Sequence, residues 1–278
     1  MKKGLYIVLI LLGISFRAWS QESAVSFESL AFETSVEKQF WQTGTSENNP
    51  LALFMAVHAE AENQAENWHD LLSTLDEQFE KKGRSENFLR VLFQKSHQNL
   101  FKKYEQHSSF NDMLNEGLFD CVSGSAALGM LLERYGFEYD IVETDYHVFI
   151  VANSDNKKII LESTVKIGGM ISTPSEVQNY LDSYQPAKKE TYLELRQRIG
   201  APKVDFSENS IFRKVDLNQL AGLQYYNDAI LHFNQQRFRE AAWQLEKAFQ
   251  LYPSERIEGL KELAIDQAYK TYGTDISQ

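Results

Sequence analysis

From residue 28 to about residue 104, apolar positions recur at three- and four-residue spacing or its multiples, the period of helices that each bury one stripe. Leu89, Leu92, Phe93, Leu100, Phe101 and Tyr104 form the clearest run. Asn48-Asn49-Pro50 and Lys82-Gly83-Arg84-Ser85 read as breaks between helices. Residues 106–119 read as a connecting stretch. A further helix opens at 120, with Asp120 as its N-cap. Leu128, Leu131, Leu132 and Tyr135 sit at i, i+3, i+4 and i+7, and Gly136 suits the position just past the helix end. The first turns of this helix, Cys121-Val122-Ser123-Gly124-Ser125-Ala126-Ala127, carry small side chains that would let it lie very close to a sheet.

Strand signals follow at 137–144, 147–153 and 158–164, with Ser154-Asp155-Asn156-Lys157 supplying the residue types of a hairpin loop. Two strands joined this way must be antiparallel. Residues 174–198 read as helical with a break at Gln185-Pro186, residues 199–216 as an extended linker, and 217–272 as a final helical block. The expected organisation is therefore a leader at 1–20, a helical segment at 21–105, a mixed core at 106–198, a linker at 199–216 and a helical region at 217–278.

The leader rests on three features: the basic Lys2 and Lys3, an apolar run at 5–16, and the small-x-small pattern Ala18-Trp19-Ser20. The run is short of the ~20 residues that a spanning helix needs. The expected product begins near Gln21 and is exported, periplasmic or secreted. Losing Lys2, Lys3 and Arg17 takes the formal charge from −11 to −14. So acidic a surface repels phosphate backbones and has no basic stripe to offset this, which argues against nucleic acid and against a membrane partner after cleavage. His58, His69, His97, His107 and His232 show no metal-ligand spacing. There is no glycine-rich phosphate loop either, so no metal and no cofactor is expected.

The chain contains one cysteine, Cys121. In an exported protein, an unpaired thiol is either an inert buried side chain or a nucleophile kept for its chemistry. A thiol attacks as thiolate, and both a helix N-terminus and a nearby imidazolium favour that form. Cys121 has the first by position, although a negative Asp120 works against it. His147 is the candidate for the second. With Asp155-Asn156 at the hairpin tip, Asn153 faces Lys158 and His147 faces Thr164. His147 and Glu162 then project from one face as diagonal neighbours, roughly 7–8 Å apart at Cα. A carboxylate there would orient the imidazole. The bland alternatives are a core cysteine and a satisfied core histidine; Glu162 in an interior strand is harder to leave without a partner.

Gly117-x-x-x-Cys121, the small-residue helix, Tyr135-Gly136-Phe137, His147-Val148-Phe149 and Leu161-Glu162-Ser163-Thr164 together resemble a transglutaminase-like core over roughly residues 88–170. The resemblance implies a papain-type order of cysteine on a helix followed by histidine and an acid on adjacent strands. Carried over, Cys121 is the nucleophile, His147 the general base and acid, and Glu162 the orienter. The family's acid is usually aspartate, and Asp120 stands where an aromatic residue often precedes the cysteine. Asn115 is a candidate oxyanion donor alongside the Cys121 backbone N–H.

Tyr225, Ala229, Phe238, Ala241, Leu245, Ala248 and Pro253 resemble the signature of one tetratricopeptide repeat, with Asn234-Gln235-Gln236-Arg237 as its turn. Asp228-Ala229 replaces the usual Leu-Gly pair, and Gln236 replaces the turn glycine. One such unit cannot form a free-standing array, so it either braces the core or offers a surface to a protein partner. The expected fold is α+β: a helical N-terminal segment, a transglutaminase-like core whose cysteine helix packs on an antiparallel sheet, and tetratricopeptide-like helices. The implied activity is amide-bond cleavage in a peptide or protein substrate, with hydrolysis favoured over transamidation. The alternative is an inactive core whose helical repeat serves as a binding module.

Overall fold

Thr34, Asn49, Ser85 and Ser109 each turn a side-chain oxygen onto a backbone N–H of the turn that follows, and a helix begins after each. The structure is a computed structural model that describes residues 30–59, 65–185 and 211–273. The expected leader, residues 186–198 of the expected core and residues 199–210 of the expected linker lie outside the described residues. Helices α1 (Ser35–Ser46), α2 (Pro50–Ala56), α3 (Glu66–Lys82) and α4 (Glu86–Asn99) fill the N-terminal part. Both expected breaks fall between helices. Gly83, at φ +60°, closes α3 in a conformation that costs glycine little.

Leu89, Leu92 and Leu100 are wholly buried and Phe93 and Phe101 nearly so, whereas Tyr104 is half exposed. It leaves the stripe because α4 ends at Asn99 and Tyr104 belongs to the two-residue strand β1 (Lys103–Tyr104), which pairs in parallel with β2 (Leu118–Phe119). The connecting stretch between them contains α5 (Phe110–Glu116). Ser109 and Asp112 start that helix by bonding each other's backbone N–H.

The cysteine helix is α6 (Cys121–Arg134). Strands β3 (Glu138–Thr144), β4 (Val148–Ser154), β5 (Lys157–Leu161), β6 (Met170–Ile171) and β7 (Phe212–Val215) form one sheet in the order β6-β5-β4-β3-β7, antiparallel throughout. Asp155 and Asn156 form the hairpin tip, both at positive φ, and Asn153 pairs with Lys158 as the residue count requires. Strand β7 lies within the stretch expected to be a linker. Its four residues are too few to show a period, and they complete the open edge of β3. One face of the sheet packs on α6. On the other, Val142, Phe149, Val151 and Ile160 meet Val177, Tyr180 and Tyr184 of α7 (Pro174–Tyr184).

Helices α8 (Leu217–Asn234), α9 (Phe238–Leu251) and α10 (Glu255–Tyr272) complete the chain. Tyr225, Ala229, Ala241, Leu245 and Ala248 are fully buried, and Gln236 takes the left-handed turn position at φ 62°. Helix α8 packs against α6 and α2 as well as α9, so the expected segments are continuous within one unit, Ala31–Gln278. Ten helices and this sheet make a mixed α+β fold among the described residues.

Buried charges join these parts. Glu143 of β3 accepts from Arg213 Nε of β7 at 2.8 Å and from the Tyr252 hydroxyl, and its other oxygen forms an ion pair with Arg256 of α10. Lys247 of α9 meets Glu37 of α1, both buried. His58 lies between Asp228 (2.9 Å) and Asp112 (3.3 Å), and His232 between Asp228 (3.4 Å) and Glu33 (3.2 Å).

The bonds to Asp112 and Asp228 raise the His58 pKa to about 10. Burial pulls His232 down, but Asp228 and Glu33 prevail and lift it to about 9. Both folded values exceed the unfolded value of about 6.5. The stability these histidines contribute is therefore complete below about pH 6.5 and is lost as the pH climbs through 9 to 10. The urea midpoint is expected to fall between pH 7 and pH 10, and to fall less in His58→Gln. An equal fall in both proteins would show that the His58 network carries no such linkage.

Candidate active site

Asp120 takes an extended conformation and turns its carboxylate back over the first turn of α6. Oδ1 accepts from Val122 N and Ser123 N, each at 2.8 Å, and from Ser123 Oγ at 3.1 Å; Ser123 Oγ in turn accepts from Asp120 N at 3.0 Å. Oδ2 accepts from Asn227 Nδ2 of α8 at 3.0 Å. Cys121 is thus the first helical residue, and its own N–H lies outside the cap and bonds towards its sulfur. Burial lifts the Asp120 pKa to about 6 against the pull of these bonds.

The small residues of α6 have the expected effect. A Cβ on Gly124 would lie 2.7 Å from Ser163 Oγ and 2.8 Å from Ser163 Cβ, so only a glycine permits this approach to the end of β5. Next to it, Ser125 Oγ donates to the Val148 carbonyl at 3.3 Å. The first turns of the helix are thus held against both the residue pair past β5 and the beginning of β4.

His147 stands just before β4, in a turn closed by Thr144. The Thr144 N–H donates to the His147 carbonyl at 2.8 Å, and the His147 N–H donates to Thr144 Oγ1 at 3.1 Å. Its ring Nε2 lies 2.6 Å from Glu162 Oε2. Glu162 Oε1 accepts from Thr164 N at 3.0 Å and Thr164 Oγ1 at 2.6 Å, while Oε2 also accepts from the Tyr180 hydroxyl. Burial works to raise the Glu162 pKa, yet the bonds from His147, Thr164 and Tyr180 outweigh it and hold the carboxyl below its ordinary value. Tyr184 stacks on the His147 ring at 5.8 Å with planes 26° apart.

Cys121 is half-buried, and the Val148 backbone N–H, one residue past His147, bonds towards its sulfur. Burial, then the Asp120 charge, pushes the thiol up to about 12 despite that bond. Tyr104 is close enough that the Cys121 charge opposes its ionisation, after burial the largest influence on its hydroxyl. His147 and Glu162 are therefore in direct contact, and Cys121 is joined to them through the Val148 backbone. With Nε2 donating to Glu162, Nδ1 keeps its lone pair and makes no hydrogen bond with a described residue.

Asn115 is exposed on the last turn of α5 and bonds none of the three among the described residues. The remaining histidines serve elsewhere. His58 and His232 join the acid network, and His69 is exposed. His97 sits among Phe93, Phe101 and Phe119, with burial lowering its pKa to about 4. Among the described residues, no group of three His, Cys, Asp or Glu side chains could hold a metal ion, and no helix is long and apolar enough to cross a membrane.

Tyr180, Tyr184, Tyr104 and Asn227 are site residues that sequence reasoning missed. Tyr180 and Tyr184 lie four apart and so share a helix face, but spacing cannot say which side chain that face meets. No protein-family model matches the chain, and neither does any curated protein or solved structure.

The closeness at Gly124 is testable against Gly259 of α10, where a Cβ would meet open space. Gly259→Ala is expected to raise stability by about 0.5–1 kcal/mol through helix propensity. Gly124→Ala gains the same term but overpacks Ser163 at a cost of about 1–3 kcal/mol. A net loss, with slower alkylation of Cys121, is the expected result by urea denaturation and thiol labelling. Equal gains at both glycines would remove the steric account.

Proposed function

We propose that this chain is an exported, transglutaminase-like cysteine enzyme that hydrolyses amide bonds of peptides or proteins. The observation that carries the reading is the 2.6 Å bond from His147 Nε2 to Glu162, which leaves the other ring nitrogen free of the acid, while the N–H of the next residue, Val148, bonds towards the Cys121 sulfur. Thr164 and Tyr180 fix the Glu162 carboxylate, so the longer acid does the work of the usual aspartate. The order of elements also supports the family reading: a capped cysteine helix packed on an antiparallel sheet, then histidine and acid at adjoining strand ends.

In the proposed reaction the Cys121 proton passes to His147 Nδ1 as Sγ attacks the amide carbonyl carbon. The carbonyl oxygen takes the negative charge, with the uncapped Cys121 N–H as one donor. The C–N bond breaks as His147 returns the proton to the leaving amine. Water then gives a proton to His147 and attacks the thioester, releasing acid and free thiol. Glu162 holds the ring throughout and stabilises its cationic form. Tyr104, Tyr146, Val165 and Ile167 are large, exposed and apolar, and they stand on or beside the segments that carry the three residues. They favour a substrate with apolar side chains flanking the scissile bond.

A specific observation favours a second reading, in which the core is inactive and the C-terminal helices bind a protein or peptide partner. The thiol is pushed up to about 12 beside a buried carboxylate. Cys121 is the only thiol, so labelling separates the two readings. If His147 acts as base, Cys121 in the protein lacking the leader is alkylated at pH 7 at least about tenfold faster than in His147→Ala, and peptide hydrolysis falls by about 10²–10⁴ in that variant. Cys121→Ala is expected to fold, as judged by circular dichroism, and to hydrolyse nothing. Equal alkylation with and without His147 would leave the binding module standing.

A further inference from the structure

We propose that Asn227, on the first of the C-terminal helices, is a positioning residue for Cys121 that sets the reactivity of the thiol through Asp120. The proposal rests on the reading of Cys121 as nucleophile. Its geometry is a short chain of bonds from α8 to the start of α6. Asn227 Nδ2 donates to Asp120 Oδ2 at 3.0 Å, and Asp120 Oδ1 takes the Val122 and Ser123 N–H groups at 2.8 Å. Asp120 is 2% exposed, so water does not replace a lost donor. Asn227 is the side chain outside α6 that bonds this carboxylate among the described residues.

The physical consequence follows from charge. A buried carboxylate with four donors stays ionised, and its negative charge stands one residue from the thiol, where it opposes thiolate formation. Removing the Asn227 amide leaves Oδ2 buried and unpaired, which favours a protonated, neutral Asp120. The groups whose charge bears on Cys121 are then Glu162, just past β5 and bonded to His147, and Tyr104 of β1, with the opposing Asp120 charge withdrawn. The Asn227 side chain also lies beside the ring of His107, whose own pKa burial lowers. An effect that came through His107 would therefore survive in Asp120→Asn.

An inert structural contact would slow the thiol or leave it alone when lost; this one should release it. A drop of about one unit in the thiol pKa raises the thiolate fraction about tenfold. Allowing for the weaker nucleophile, the alkylation rate rises about threefold. The experiment is the alkylation rate of the protein from pH 5 to pH 9 for wild type, Asn227→Leu, Asn227→Ala, Asp120→Asn and the Asp120→Asn/Asn227→Leu double variant. The single variants are expected to react about threefold faster at pH 7, with the gain shrinking towards pH 5, where Asp120, lifted to about 6, is already protonated in the wild type. The double variant should match Asp120→Asn, because both changes act on one charge.

An unchanged or uniformly slower profile in folded Asn227→Leu and Asn227→Ala would overturn the proposal. So would additive effects in the double variant, or unfolding of both Asn227 variants, which would make the contact structural alone. These outcomes are independent of the His147→Ala comparison, so the thiol's base and the thiol's restraint fail separately.

Discussion

At Gly124 the backbone of α6 runs so close to Ser163 that one methyl group would stand 2.7 Å from the serine hydroxyl. That approach sets the spacing between the cysteine helix and the ends of β4 and β5, and the site depends on that spacing. Ser163 follows Glu162, and Ser125 on the same helix bonds the Val148 carbonyl next to His147. A larger residue in this turn would move the thiol away from both strand ends at once. The cost of the arrangement is a weak helix start, since glycine and serine favour other conformations. The Asp120 cap, with its reciprocal Ser123 bond, restores what the composition of that turn gives away.

The same cap sets the electrostatics. The end of a helix carries roughly half a positive charge, whereas an ionised carboxylate carries a whole negative one. Asp120 is buried and adjacent, so it outweighs the helix at Cys121 and, with burial, leaves the thiol protonated. The arrangement suits a proton transferred during attack, from a neutral thiol to an imidazole already oriented by Glu162. It suits less well a thiolate standing ready in the free protein.

Much of this was legible in the chain. Asp155-Asn156 fixed the hairpin register, and counting from that tip placed His147 opposite Thr164 and diagonal to Glu162. The side chains do meet, although regular strand pairing ends at Leu161, one residue earlier. Asp120, Gly136 and the small first turn were read from residue types whose physics is local. What stayed hidden was set by contacts distant in sequence. Strand β7 has four residues and no period of its own; it is a strand because β3 has a free edge. Tyr180 and Tyr184 are ordinary helix residues until the sheet presents Glu162 and His147 to them. Helix α5 was the avoidable miss, since Ser109 and Asp112 are spaced as a capping pair.

The departures of the C-terminal helices from the tetratricopeptide pattern have a physical reason in the same contacts. Asp228 stands where the repeat usually has leucine, and it is the buried acid shared by His58 and His232. Asn227 beside it reaches Asp120, and Gln224 bridges the Phe110 N–H and the Phe54 carbonyl. These bonds tie α8 to the segments around α2, α5 and α6. Glu143 and Glu37, buried in the rest of the fold, find their cations on β7, α9 and α10. Stripping one partner from such a pair typically costs about 3–5 kcal/mol, because a charge is left buried without an opposite. Taking the C-terminal helices away would strip Glu37 of Lys247, Glu33 of His232 and Asp120 of Asn227, and would expose the back of α6. By this reasoning they are structurally part of the cysteine domain, and the thiol's surroundings are built in part by residues a hundred positions downstream.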